Sequence, residues 1–142
     1  MKFTNPAPTD ICRILHSIRN IAVVGLSAST ERPSFRVAQA MQALSYRIIP
    51  VRPKVSEVLG ETAYPDLASV PEKIDLVNVF RAPEHVPAIV DACIALGVKY
   101  LWLQDGVINE AAAERAQAAG ITVVMDKCLW RDGGVPCGKR DN

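Results

Sequence analysis

Five short apolar runs separated by stretches of helical periodicity restrict the architecture of this chain more than any other feature. The runs span residues 21–25, 46–51, 74–80, 98–103 and 121–125. They are rich in β-branched residues and bounded by Gly, Pro or polar residues. They are also apolar throughout rather than at alternate positions, which marks strands covered on both faces. Between them, Val37, Ala38, Met41 and Leu44 share one helical face behind Pro33 and Ser34, and Ser34 is expected near the helix cap. Val86, Ile89, Val90, Cys93 and Ile94 form a second stripe, stopped by Gly97. A third helix opens at Asn109, carries Glu110 in its first turn and ends at Gly120. Strands alternating with helices predict an α/β, Rossmann-like doubly wound fold: a mainly parallel five-stranded sheet with helices on both faces.

The remaining segments read as connections. Residues 52–73 are punctuated by Pro53, Gly60, Pro65 and Pro71, with single helical turns expected over 55–59 and 67–70. Residues 126–142 read as a polar, partly mobile tail, because Gly133, Gly134, Pro136 and Gly138 crowd it. A length of 142 residues fits one domain with its core over about 18–130.

A formal charge of +1 argues against nucleic-acid binding, which needs a basic surplus. No apolar run approaches the ~20 residues of a membrane span, and Met1 to Asp10 lack the apolar core of a signal peptide, so a cytoplasmic protein is expected. Cys12, Cys93, Cys128 and Cys137 are scattered without a CxxC pair. Reduced thiols and no metal site are the expectation.

In a doubly wound sheet, ligands sit beyond the carboxyl ends of the strands. The loop after the first strand is the most informative candidate. Gly25 permits a tight turn, and Ser27, Ser29, Thr30 and Ser34 bring hydroxyls to the start of a helix whose amides and dipole favour a phosphate. Arg32 and Arg36 can add charge-assisted bonds. A plain capping turn is the competing reading of the same residues. The loop is not G-x-G-x-x-G, and the second strand ends in Arg52 and Lys54, where a nicotinamide site usually places a carboxylate. Cations there suit a ribose phosphate, as in NADP or coenzyme A, unless they are solvated loop charges. Further strand ends offer Phe80, Arg81, Gln104, Asp105 and Asp126. His85, Asp105, Asp126 and Cys128 form no recognisable acid–base or nucleophile pattern by spacing, and neither G-x-S-x-G nor a Walker phosphate loop occurs.

Taken in order, Val24-Gly25-Leu26-Ser27, Arg32-Pro33-Ser34, Pro50-Val51-Arg52-Pro53-Lys54, Asn78-Val79-Phe80-Arg81, Trp102-Leu103-Gln104 with Gly106, and Met125-Asp126-Lys127-Cys128 resemble the small bacterial coenzyme A-binding proteins. That family is similar to the N-terminal domain of the succinyl-CoA synthetase alpha subunit. The resemblance covers about residues 18–130. It implies that Gly25, Ser27, Arg32 and Ser34 hold phosphates, that Pro50, Val51, Pro53 and Lys54 flank the adenosine, and that Phe80 and Arg81 border the pantetheine, with Gln104 near its far end. Arg52 departs from the family, where Asn is frequent. The synthetase's phosphohistidine has no counterpart.

The expected function is therefore coenzyme A or acyl-CoA binding without an obvious catalytic apparatus. The alternatives are an NADP-dependent reductase, an acyl-CoA-acting enzyme using His85, Asp105 or Cys128, and an interaction domain with a vestigial pocket. The expected partner is a small molecule, not nucleic acid or membrane.

Overall fold

A five-stranded, wholly parallel sheet organises residues 3–139, which the computed structural model describes. Its strands are β1 (Asn20–Val24), β2 (Arg47–Val51), β5 (Leu76–Val79), β6 (Tyr100–Leu103) and β7 (Thr122–Val124). Their spatial order is β2-β1-β5-β6-β7. β3 (Glu57–Val58) and β4 (Glu61–Thr62) form a separate antiparallel hairpin. The helices are α1 (Pro8–Ser17), α2 (Pro33–Ala43), α3 (Val86–Leu96) and α4 (Glu110–Ala118), with the single turn α5 (Val135–Cys137) near the end. The predicted doubly wound α/β sheet is present.

Successive strand residues point to opposite faces, and both faces are covered. Ala22, Val24, Ile49, Val51, Val77, Val79, Leu101 and Leu103 pack with the apolar sides of α3 and α4. Ile21, Val23, Ile48, Leu76 and Trp102 pack with Ile11 and Leu15 of α1 and with Val37, Ala38 and Met41 of α2. Two-sided burial explains why the sequence shows unbroken apolar runs. Pro50 is tolerated because β2 lies at the sheet edge. Its carbonyl accepts from the Tyr64 amide at 3.0 Å on the outer side, so its missing N–H costs the ladder to β1 nothing.

Four expectations need correction. The core does not begin at residue 18: α1 buries Ile11 and Leu15, and Ile18 beyond it is buried as well. Residues 55–59 form no helical turn, because Glu57–Val58 pairs with Glu61–Thr62 across Leu59 and Gly60, both at positive φ, as in a two-residue hairpin loop. The described part of the polar tail is packed (residues 140–142 lie outside the described residues). A π-helical turn spans Leu129–Gly134, and a Cβ on Gly133 would stand 2.8 Å from the Leu15 side chain. These glycines serve close packing rather than mobility. Finally, Cys12 and Cys137 are not free thiols but a disulfide with Cα atoms 5.1 Å apart, joining α1 to α5 across 125 residues of sequence.

Candidate functional site

The strand order reverses direction of winding between β1 and β5, and the crevice between their carboxyl ends is where such a sheet binds ligands. Gly25 leaves β1 there at φ +87°, with its amide donating to the Val51 carbonyl at 2.9 Å. A Cβ at this position would lie 2.7 Å from the Phe80 carbonyl oxygen and 3.1 Å from Cδ of Arg81. Both the backbone angle and the close approach of two strand ends therefore require glycine.

The loop that follows is braced by its own hydroxyls. Ser34, only 5% exposed, accepts the Ser27 amide on its Oγ at 3.0 Å. Ser27 Oγ in turn accepts the Ser29 amide at 3.0 Å, and the Arg32 amide donates to the Ser29 carbonyl at 3.1 Å. Ser34 is thus a buried tie between loop and helix; the residue at the α2 cap is Arg32, followed by Pro33 at the first helical position. Proline is well placed there, where an amide would have no intrahelical acceptor. Ser29 and Thr30 lie exposed on the loop's outer turn.

These residues wall a hollow of about 300 Å³ lined by Gly25, Ser27, Arg32, Ser34, Arg52 and Phe80. It presents two guanidinium groups beside the N-terminal turn of α2, a donor set that suits phosphate oxygens. On the opposite face of the same strand ends lies a second, more apolar hollow of about 390 Å³. Val51, Pro53, Pro65, Leu67, Arg81 and Ile89 contribute to it. Pro65, Leu67 and Ile89 were not anticipated as site residues. Leu67 belongs to a short 3-10 turn that the Asp66 side chain caps by accepting the Ser69 amide at 2.9 Å, and such a turn carries little periodic signal.

A larger hollow, about 570 Å³, opens between α1 and the starting ends of β6 and β7, lined in part by Asp10, Arg13, Tyr100 and Thr122. Its Arg13 is already paired with Asp10 at 2.8 Å. Size alone does not favour it, because it lies at the wrong end of the strands for a doubly wound sheet.

The other anticipated residues fall in different places. Pro50 is buried within β2, and Lys54 is exposed at φ +65° just beyond it. Gln104 is 6% exposed, and its Oε1 accepts from Asn78 Nδ2 and from the Leu129 amide, each at 3.2 Å. It ties β5, β6 and the C-terminal turn together. His85 stands 3.1 Å from an Arg81 guanidinium nitrogen. Asp105 takes a bidentate pair of 2.8 Å bonds from Arg131, whereas Asp126 accepts the Gly106 amide at 2.8 Å. The bonds to Asp105 and Asp132 push the Arg131 pKa well above its ordinary value. The two carboxylates are therefore engaged separately rather than as an acid–base pair. Among the described residues, no cluster of three metal-ligating side chains occurs, and no helix is long and apolar enough to cross a membrane.

A doubly wound sheet with a cationic, glycine-floored hollow at its reversal point defines a nucleotide-binding class of domain. Within that class, the model of the CoA binding domain matches residues 19–133, and the chain belongs to this family. It is 40% identical over 125 residues to the uncharacterized protein YneT of Bacillus subtilis, covering 88% of this chain and 93% of that one. A hypothetical protein from Pyrococcus horikoshii OT3 superposes with a TM-score of 0.86 at 34% identity, over 93% of this chain and 96% of the other. The ADP-forming acetate–CoA ligase I of Archaeoglobus fulgidus is 25% identical over 119 residues, 77% of this chain but only 17% of the ligase.

Proposed function

We propose that this chain binds coenzyme A or an acyl-CoA across the carboxyl ends of β1, β2 and β5. One observation carries the reading: Gly25, the only residue type that fits against the Phe80 carbonyl, floors a hollow that Arg32 and Arg52 make cationic. Membership of the CoA binding domain family supports it independently. The ligand carries a diphosphate, a ribose 3′-phosphate, an adenine and a long amide-containing arm. The diphosphate takes the loop from Gly25 to Ser34, with Arg32 as counter-ion. Arg52, with Lys54 outside it, takes the 3′-phosphate. The apolar hollow beside Val51 and Pro53 takes the adenine, and Phe80 with Arg81 borders the arm.

Thermal unfolding with coenzyme A, dephospho-coenzyme A and NADP, compared side by side, tests this. A ligand that binds only the native state adds about 2.7 kcal/mol at a hundredfold excess over Kd. Coenzyme A is expected to raise Tm most, dephospho-coenzyme A less, and NADP least. A shift with NADP and none with coenzyme A transfers the site to the nicotinamide reading. No shift with any of the three leaves the hollow without a nucleotide role.

A further inference from the structure

The Cys12–Cys137 bridge lies outside the nucleotide site and serves no part of it. Cys12 sits on α1 and Cys137 in the single turn α5, and both residues are half-buried rather than enclosed. The segment it fastens covers one face of the sheet. Leu129 is fully buried, and a Cβ on Gly134 would meet Trp130 at 2.7 Å, Leu44 at 2.9 Å and Met41 at 3.0 Å. His16, one helical turn after Cys12, contacts the Cys137 carbonyl at 2.7 Å through Nε2. The other two cysteines are unlike this pair. Cys93 and Cys128 are both buried, and burial pushes the Cys93 thiol up to about 12. A thiol held protonated in this way is a poor nucleophile.

We propose that Cys12–Cys137 is a thiol–disulfide exchange site for small thiols, and that its state sets how tightly residues 128–137 are held against α1 and α2. An external thiolate attacks one of the two sulfurs, forming a mixed disulfide and releasing the other cysteine as a thiolate. A second external thiol attacks the mixed disulfide and releases the remaining cysteine. Two thiols are oxidised to one external disulfide, and their two protons pass to Cys12 and Cys137. The reverse reaction, with a small disulfide such as oxidised glutathione, closes the bridge. In the open form the His16 contact is no longer held in place and residues 128–137 come away from α1 and α2, while the strands and α1 to α4 stay folded. This proposal does not depend on what the nucleotide hollow binds.

The experiment uses the whole chain, oxidised with glutathione disulfide or reduced with dithiothreitol. Iodoacetamide labelling and peptide mapping should find no rapidly labelled cysteine in the oxidised form, and Cys12 and Cys137 alone labelled rapidly in the reduced form. Reduction should lower Tm by roughly 10 °C, as loss of a long-loop cross-link does. It should also open tryptic cleavage after Lys127 and Arg131 under native conditions, and re-oxidation should restore resistance. Cys137→Ser should behave as the reduced form under both conditions. Four free thiols persisting after glutathione disulfide would overturn the proposal, as would identical Tm and cleavage in the two redox states.

Discussion

Gly25 shows how much a single residue can reveal. Its place at the end of an apolar run marks a turn, but the sequence contains no sign of how near the neighbouring strand end comes. The added Cβ at 2.7 Å from a backbone oxygen supplies that constraint. Gly25→Ala is expected to destabilise the protein by about 1–3 kcal/mol, since a positive φ and an immovable neighbour both oppose it. It should also abolish coenzyme A binding, measured by calorimetry at a temperature where the variant remains folded. Wild-type affinity in folded Gly25→Ala would move the ligand away from this loop. Ser34 is the counterexample. Its hydroxyl was expected to hold a phosphate; the sequence did not show that the group is buried and that its Oγ accepts the Ser27 amide. The cations that line the hollow, Arg32 exposed and Arg52 half-buried, make the sharper probes. Arg32→Ala should weaken binding of both coenzyme A and dephospho-coenzyme A by about 1.5–3 kcal/mol, the range for a bond to a charged group. Arg52→Ala should weaken coenzyme A alone, bringing it level with dephospho-coenzyme A. Equal losses for both ligands in Arg52→Ala would remove the 3′-phosphate from its reach.

The elements that could be read in advance were those whose signal is local. β1, β2, β5, β6 and β7 announce themselves as apolar runs, and Asn109 caps α4 as its type suggests, accepting the Ala112 amide at 3.0 Å. α1 was hidden because only Ile11 and Leu15 are buried along it, continued by Ile18 just past its end, among prolines and polar residues that read as an ordinary polar start. The spacing of four and three was nevertheless present. The C-terminal turn was misread for a different reason: Gly133 and Gly134 resemble linker residues until Leu15, Trp102 and Met41 are placed around them. Its grip is partly electrostatic. Burial alone would raise the Asp132 pKa, but the bonds from Arg131 and the Cys128 amide outweigh it, so the carboxyl is held below its ordinary value. A group depressed in the folded state contributes stability that is fully present above its unfolded pKa, near 3.9, and lost as pH falls through the folded value. Amide exchange around residues 128–134 should therefore accelerate as pH drops below about 4, after correction for intrinsic rates. In Asp132→Asn this acid-dependent step should vanish; its persistence would assign the step to another carboxylate.

At the scale of the whole molecule, the strand order has a consequence that no residue shows alone. β1 feeds α2 on one face, and β5 feeds α3 on the other, so the two hollows flank the same strand ends from opposite sides. Either hollow by itself is small for a ligand with a nucleotide head and a long arm. A molecule filling both must pass over the crest formed by Gly25, Val51 and Phe80, where the chain has removed a side chain and brought the backbones together. The alternation of runs made this sheet class legible, whereas the pairing of hollows depended on Pro65 and Leu67 arriving from a connection with no periodic pattern. A ligand on that path would touch both faces, which among the described residues form two separate hydrophobic clusters. Hydrogen exchange should then show protection by coenzyme A both at residues 26–35 and at residues 65–69 and 81–89, with a single ligand dependence for the two sets. A truncated ligand such as adenosine 3′-monophosphate, lacking the diphosphate and the arm, should protect the β2 side and leave residues 28–32 exchanging as in the free protein. Protection by coenzyme A confined to one face would mean that only one hollow is used, and the crossing over Gly25 would have no part in binding.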